Sequence, residues 1–172
     1  RRTNARRFEY VVIECVTPEL DGGRYPVKRI TGDVVSVGAD LIKDGHDVLA
    51  AHVLFKGPGD SDWSTAPMHF DFDSDRWYGE FRVDRLGTWT FTVEGWTDSF
   101  ETWRTALKKK LAAGQDVSTE LTEGAALVRS AAGGVRFGPA RASLLLTAKL
   151  LEDRRDTALE MRVQRAFDDE LE

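Results

Sequence analysis

Thr88-Trp-Thr-Phe-Thr-Val-Glu-Gly-Trp-Thr97, running straight into Asp98-Ser-Phe-Glu-Thr-Trp-Arg-Thr-Ala-Leu-Lys-Lys-Lys-Leu111, decides the fold. Up to Thr97, bulky apolar residues (Trp89, Phe91, Val93) alternate with Thr88, Thr90, Thr92 and Glu94, the period-two pattern of a half-buried strand. From Asp98 the spacing changes to three and four, with Phe100, Trp103, Leu107 and Leu111 on one helical stripe. The same change separates the halves of the chain, so the expectation is α+β: an immunoglobulin-like antiparallel β-sandwich over residues 1–97 and a small subdomain of three to four helices over 98–172.

Working back from Thr88, seven strands are expected: Phe8 to Val16, Tyr25 to Ile30, Val34 to Leu41, Val48 to Lys56, Ala66 to Phe72, Trp77 to Val83 and Thr88 to Trp96. Val48 to Lys56 is apolar on both faces, which suits a central strand. Turns at Pro18–Gly23, Thr31–Asp33 and Gly57–Asp60 leave no room for crossover helices, so the pairing must be antiparallel. Working forward, Asp98 or Ser99 caps the first helix, Gly114 ends it, and Lys108, Lys109 and Lys110 suit the negative end of its dipole. Asp116 caps a second helix with Val117, Leu121 and Val128 inside and Glu120 or Glu123 facing water. Gly133-Gly134 breaks it, and Pro139 opens a third with Leu144, Ala148 and Leu151. A fourth runs from about Asp156 through Leu159, Val163, Phe167 and Leu171.

With 172 residues, 41% hydrophobic and 31% charged, the chain has enough apolar matter for a packed core but is far too short for a full catalytic barrel. The formal net charge of −5 gives no case for nucleic acid or an anionic membrane surface. The crowd of Arg1, Arg2, Arg6 and Arg7 reads as a solvated tail. No apolar run approaches the ~20 residues of a membrane span, and the lone Cys15 leans toward a reducing, cytoplasmic setting. The chain begins at Arg1 and stops at Glu172 inside an amphipathic pattern, so a piece of a longer polypeptide is expected.

Each catalytic template fails on a particular residue. Asp71-Phe-Asp73-Ser-Asp75 imitates a calcium loop, but Arg76 stands where the turn needs Gly and Arg82 where calcium needs a bidentate Glu. A solvated turn between strands is the better reading. Gly133 and Gly138 have phosphate-loop spacing, yet Pro139-Ala140 replaces the Lys and Ser/Thr that contact phosphate and magnesium. His46, His52 and His69 lie on separate segments, Cys15 has no activating neighbour, and no Gly-x-Ser-x-Gly elbow occurs. No catalytic, cofactor-binding or metal-binding residue is therefore assigned. All five tryptophans lie between Trp63 and Trp103. Most alternate as core residues; Trp63, in a polar loop, and Trp96, on the Thr face of its strand, are the two candidates for stacking on a sugar.

Three longer strings carry a resemblance: Val16-Thr-Pro-Glu-Leu-Asp-Gly-Gly-Arg-Tyr-Pro-Val-Lys-Arg29, Asp44-Gly-His-Asp-Val-Leu-Ala-Ala51, and Thr102-Trp-Arg-Thr-Ala-Leu-Lys-Lys-Lys-Leu-Ala-Ala-Gly-Gln-Asp-Val117, followed by Glu120-Leu and Glu123-Gly-Ala. Over residues 8 to 130 the chain resembles the N-terminal region of the bacterial α-1,4-glucan:maltose-1-phosphate maltosyltransferases, of the α-amylase superfamily; the resemblance weakens from Val135. It implies a cytoplasmic enzyme that moves maltosyl units to α-1,4-glucans in glycogen-like synthesis. Its N-terminal β-sandwich with a helical insert would contribute to a homodimer and support a catalytic barrel lying outside this chain. No catalytic carboxylate carries over, because no barrel motif is present. The stripe Trp103, Leu107, Leu111 is the candidate interface, with docking onto the sandwich as its alternative. The competing function is a carbohydrate-binding module that holds α-glucan through Trp63 and Trp96.

Overall fold

The computed structural model describes residues 10–153, 155, 158–168 and 171. The arginine-rich start, Phe8 at the head of the first expected strand and Asp156 at the head of the last helix lie outside them. The chain divides into two compact units, one ending at Thr97 and the other beginning at Asp98.

The first unit contains six antiparallel strands: β1 (Val12–Thr17), β2 (Val34–Ile42), β3 (Leu49–Lys56), β4 (Ser64–Asp71), β5 (Arg76–Arg82) and β6 (Thr90–Thr97). Their order is β1-β2-β5-β4-β3-β6. β1, β2 and β5 form one layer and β3 with β6 the other, the adjacency of an immunoglobulin-like sandwich. Register places Val35 opposite Phe81, Val37 opposite Gly79 and Val53 opposite Val93. These residues point inward and form the core with Ala39, Ala51, Met68 and Val83. A slip of one residue would turn the whole apolar set outward, so the alternation visible in the sequence also locks the pairing.

The strand expected at Ala66 to Phe72, observed as β4, joins the layers. Ser64 to Pro67 of β4 pairs with Phe55 to His52 of β3, whereas Met68 to Asp71 pairs with Gly79 to Arg76 of β5. Pro67 sits at the crossover, where a residue without an N–H suits a strand changing partners. Gly79 makes the corner possible: a Cβ there would lie 2.8 Å from Met68 Cγ, 2.9 Å from the Pro67 carbonyl oxygen and 2.9 Å from Val53 Cγ2. One expected strand does not form. Tyr25 to Ile30 contributes only an isolated bridge between Leu20 and Tyr25, because Pro26 removes a ladder donor and the segment has no buried face.

The second unit contains α1 (Ser99–Ala112), α2 (Ser118–Gly134), α3 (Pro139–Leu151) and α4 (Leu159–Ala166). Asp98 caps α1, its Oδ1 accepting the Glu101 N–H at 2.8 Å, and Gly114 follows the helix at φ +64°. Asp116 acts just ahead of α2, accepting both the N–H (3.0 Å) and hydroxyl (2.6 Å) of Ser118. Pro139 opens α3 as expected. α4 is shorter than its pattern: it stops at Ala166, where the Phe167 N–H turns back to the Gln164 carbonyl, and Leu171 lies beyond it. The apolar stripes meet in one core containing Trp103, Leu107, Val117, Leu121, Ala125, Val128, Ala148, Leu151 and Ala166. Two buried arginines finish it. Arg104 lies between the rings of Phe100 and Phe167, 5.8 Å from each centroid, and Arg162 Nε donates to the Leu151 carbonyl at the end of α3 at 2.9 Å.

Candidate interaction surfaces

The three residues of the first helical stripe are spent largely inside their own unit. Leu107 is fully buried, Trp103 is 6% exposed and Leu111 packs half-buried on the same core. The Trp103 ring lies against α2 at Gly124, where a Cβ would come within 2.0 Å of Cζ2, and its indole N–H donates to the Glu120 carbonyl at 2.6 Å. Trp103 and Leu107 thus belong to the core of their own unit, with the Trp103 side chain partnered on α2. Exposed apolar side chains of this unit stand elsewhere, at Phe137 (94% exposed), Leu146 (68%) and Leu145 (42%), and on α4 at Met161 and Leu159. A three-leucine run, Leu144 to Leu146, must turn part of itself outward on any helix, which is the signal that could have found the exposed leucines there.

The expectation that Glu120 or Glu123 faces water holds for Glu123 only. Glu120 is buried beside Trp103, and Lys110 reaches across from α1 to bond its Oε1. That bond holds the Glu120 carboxyl below the ordinary carboxylate range, against a smaller opposing effect of burial. Its Oε2 has no hydrogen-bond partner among the described residues. An open groove of about 730 Å³ runs here between α1 and α2, lined by Thr102, Ala106, Lys110, Glu120, Glu123 and Leu127 among others.

In the first unit, the two candidate sugar-stacking residues are exposed, Trp63 at 46% and Trp96 at 41%. They do not share a platform. Trp63 precedes Ser64, which faces Phe55, whereas Trp96 faces Ala50. Ser64 and Trp96 are therefore five residues apart along β3, about 17 Å, on the strands at its two sides, with Trp63 one residue further off. Trp96 is edge-on to His52 with centroids 4.9 Å apart, and His52 Nε2 is 2.7 Å from Glu94 Oε2.

A second groove, about 720 Å³, opens at the end of the sandwich where β2 begins and β5 ends. Its floor is core: Val35, Phe81, Val83, Trp89 and Phe91. Its wall is the Pro18 to Thr31 segment, which includes the expected strand Tyr25 to Ile30 that does not form. The opposite rim is cross-bonded. Arg85 bonds Asp60 (2.5 Å) and the Pro58 carbonyl (3.1 Å) and lies 5.0 Å over the Trp89 ring, whose N–H returns to the Arg85 carbonyl at 3.1 Å. The Gly57 N–H and then Arg85 hold the Asp60 carboxyl below its usual range.

Among the described residues no group of three or more His, Cys, Asp or Glu is placed to hold a metal ion. The calcium-like stretch is the β4–β5 turn, where Asp71 accepts the Ser74 hydroxyl at 2.6 Å and the Asp73 N–H at 3.3 Å. The exposed Cys15 thiol is pushed up by its hydrogen bond to Asp40, the opposite of activation. No helix among the described residues is long and apolar enough to cross a membrane.

Compared with known proteins, residues 9–172 match the profile of α-1,4-glucan:maltose-1-phosphate maltosyltransferase, domain N/S. The chain belongs to that family. The match reaches Glu172, so the stretch after Val135, which looks least like the family by its strings, is part of the same domain. Maltosyltransferases of this name are similar to it from Chlorobaculum tepidum (50% identity over 118 residues, 69% of this chain and 18% of the relative), Myxococcus xanthus (46% over 134, 76% and 20%) and Streptomyces coelicolor (38% over 144, 83% and 22%). The chain thus spans about a fifth of the length of the curated relatives it matches.

Proposed function

We propose that this chain is the non-catalytic N-terminal part of an enzyme that transfers maltosyl units from maltose 1-phosphate to α-1,4-glucans in the cytoplasm, and that it serves homodimerisation and supports the catalytic barrel. The observation that carries this reading is the domain N/S match over residues 9–172 in a chain only a fifth as long as its relatives. A domain of this kind needs packed cores and faces for other parts, and both units supply them. For a second copy, the exposed Phe137, Leu145 and Leu146 are among the apolar residues offered. Incubated with maltose 1-phosphate and a maltooligosaccharide, the 172-residue chain should release no phosphate while the full polypeptide does; turnover by the chain alone defeats the non-catalytic reading. In sedimentation velocity the chain should show a species near twice 19.3 kDa that Leu146→Ser with Phe137→Ser removes. A monomer throughout takes the dimer contact away from this region.

The second reading, a module that holds α-glucan, rests on the exposed Trp63 and Trp96. Their separation along β3 leaves each to act alone. Trp63→Ala should then weaken glucan binding by about 0.5–1.5 kcal/mol in a calorimetric titration, and an unchanged isotherm removes the reading.

A further inference from the structure

We propose that the groove at the end of the sandwich is the seat of an acidic, partly apolar surface belonging to the parent polypeptide outside residues 1–172. This rests on the reading of the chain as one part of a longer transferase and adds where that remainder docks. Three observations converge on one rim. The groove exposes core side chains, Phe81, Trp89 and Phe91 among its lining. Beside it stand large apolar residues that folding of this unit leaves outside: Leu86 is 88% exposed, Ile30 76% and Tyr25 58%. Such a cluster next to an open core marks an interaction face rather than scattered surface leucines.

The charge of the rim selects the partner's chemistry. The chain as a whole is acidic, at −5, yet the wall from Arg24 to Thr31 carries Arg24, Lys28 and Arg29 with no Asp or Glu between them. Arg24 is engaged with Asp21 at 3.5 Å and Arg85 with Asp60 and Asp84; Glu19 is the acidic residue of the lining. Lys28 and Arg29 are exposed and have no acidic partner among the described residues, Arg29 bonding only the Lys28 carbonyl at 2.8 Å. Two unpaired cations flanking apolar residues complement carboxylates set around an apolar centre. The relatives carry roughly four-fifths of their length outside the matched region, so a large surface of the same polypeptide is there to supply them. The loss of the expected strand then has a use: the Pro26-broken segment joins no sheet ladder beyond the Leu20–Tyr25 bridge, so Tyr25, Lys28 and Ile30 stay exposed at the rim.

Zero-length carbodiimide cross-linking of the full polypeptide, read by mass spectrometry, tests this directly. The expected result is a bond from Lys28 to an Asp or Glu outside residues 1–172. A bond only to a carboxylate within residues 1–172, of its own or a second copy, or no bond, overturns it. As a second readout, amide exchange over residues 24–31 and 85–88 should be slower by about tenfold or more in the full polypeptide than in the isolated chain, and Lys28→Glu with Arg29→Glu should restore the fast exchange. Equal exchange overturns the proposal, as does equal slowing of the isolated chain by a maltooligosaccharide. Phosphate release from maltose 1-phosphate by the same full polypeptide separates the two claims. Release without the Lys28 cross-link defeats the docking site alone, and the cross-link without release defeats the transferase reading alone.

Discussion

The two units reach a packed core by opposite means, and the contrast separates two roles of glycine. In the sandwich, Gly79 allows a backbone corner: β4 crosses from β3 to β5 over a position where any Cβ would meet a carbonyl oxygen and two core side chains. In the helical unit, Gly124 allows a ring: α2 lies so close to Trp103 that a Cβ would overlap it. The first glycine serves topology, the second serves one side chain. A unit organised around a corner should tolerate changes at any single apolar residue better than a unit built around one indole.

Three perturbations set that contrast at risk. The largest effect is expected from Trp103→Ala, which removes the ring under Gly124 and leaves a cavity the glycine cannot fill, at about 3–5 kcal/mol. Ellipticity at 222 nm reports α1 to α4, and the four remaining tryptophans all lie in the first unit. The helical signal should therefore melt early while tryptophan fluorescence melts as before; coincident transitions would show that the units fold as one. Next, Gly79→Ala should lower the fluorescence-detected transition by about 1–3 kcal/mol through overpacking and leave the 222 nm transition in place. No shift would mean that the corner relaxes. The smallest effect concerns the pair of buried Glu120 with half-exposed Lys110. Because its folded carboxyl sits below the ordinary 4.5, its stabilisation is complete above about that pH and disappears as pH falls through the lower, folded value. Acidification below pH 4.5 should thus cost the wild-type helical transition more than that of Glu120→Gln. Parallel curves would assign the acid sensitivity to other carboxylates.

What could be read early, and what could not, follows the range of the interactions. Trp89, Phe91 and Val93 declare a strand, and Phe100, Trp103 and Leu107 a helix, because the period is written within a few residues. The caps at Asp98 and Gly114 are equally local. Tyr25 to Ile30 misleads because Tyr, Val and Ile favour strands, yet a single Pro26 breaks the ladder. Glu120 misleads because its partners, Trp103 and Lys110, stand ten or more residues away on another helix. The sandwich groove gave no local signal at all: its floor comes from β2, β5 and the start of β6, its wall from a loop, and its cations matter only beside that floor.

Composition, period and capping were enough to set the class of this chain, the change from strands to helices at Thr97, the absence of catalytic motifs and, through long strings such as Val16 to Arg29, the resemblance to its family. The tertiary structure alone decided that β4 belongs to two layers, that Trp103 and Leu107 are core while Phe137 and Leu146 are surface, and that Lys28 and Arg29 border an open apolar groove. The physical reason is the reach of the forces involved. Hydrogen-bond periodicity and caps act over three or four residues, whereas burial and electrostatic partnership depend on which distant segments the completed chain brings together.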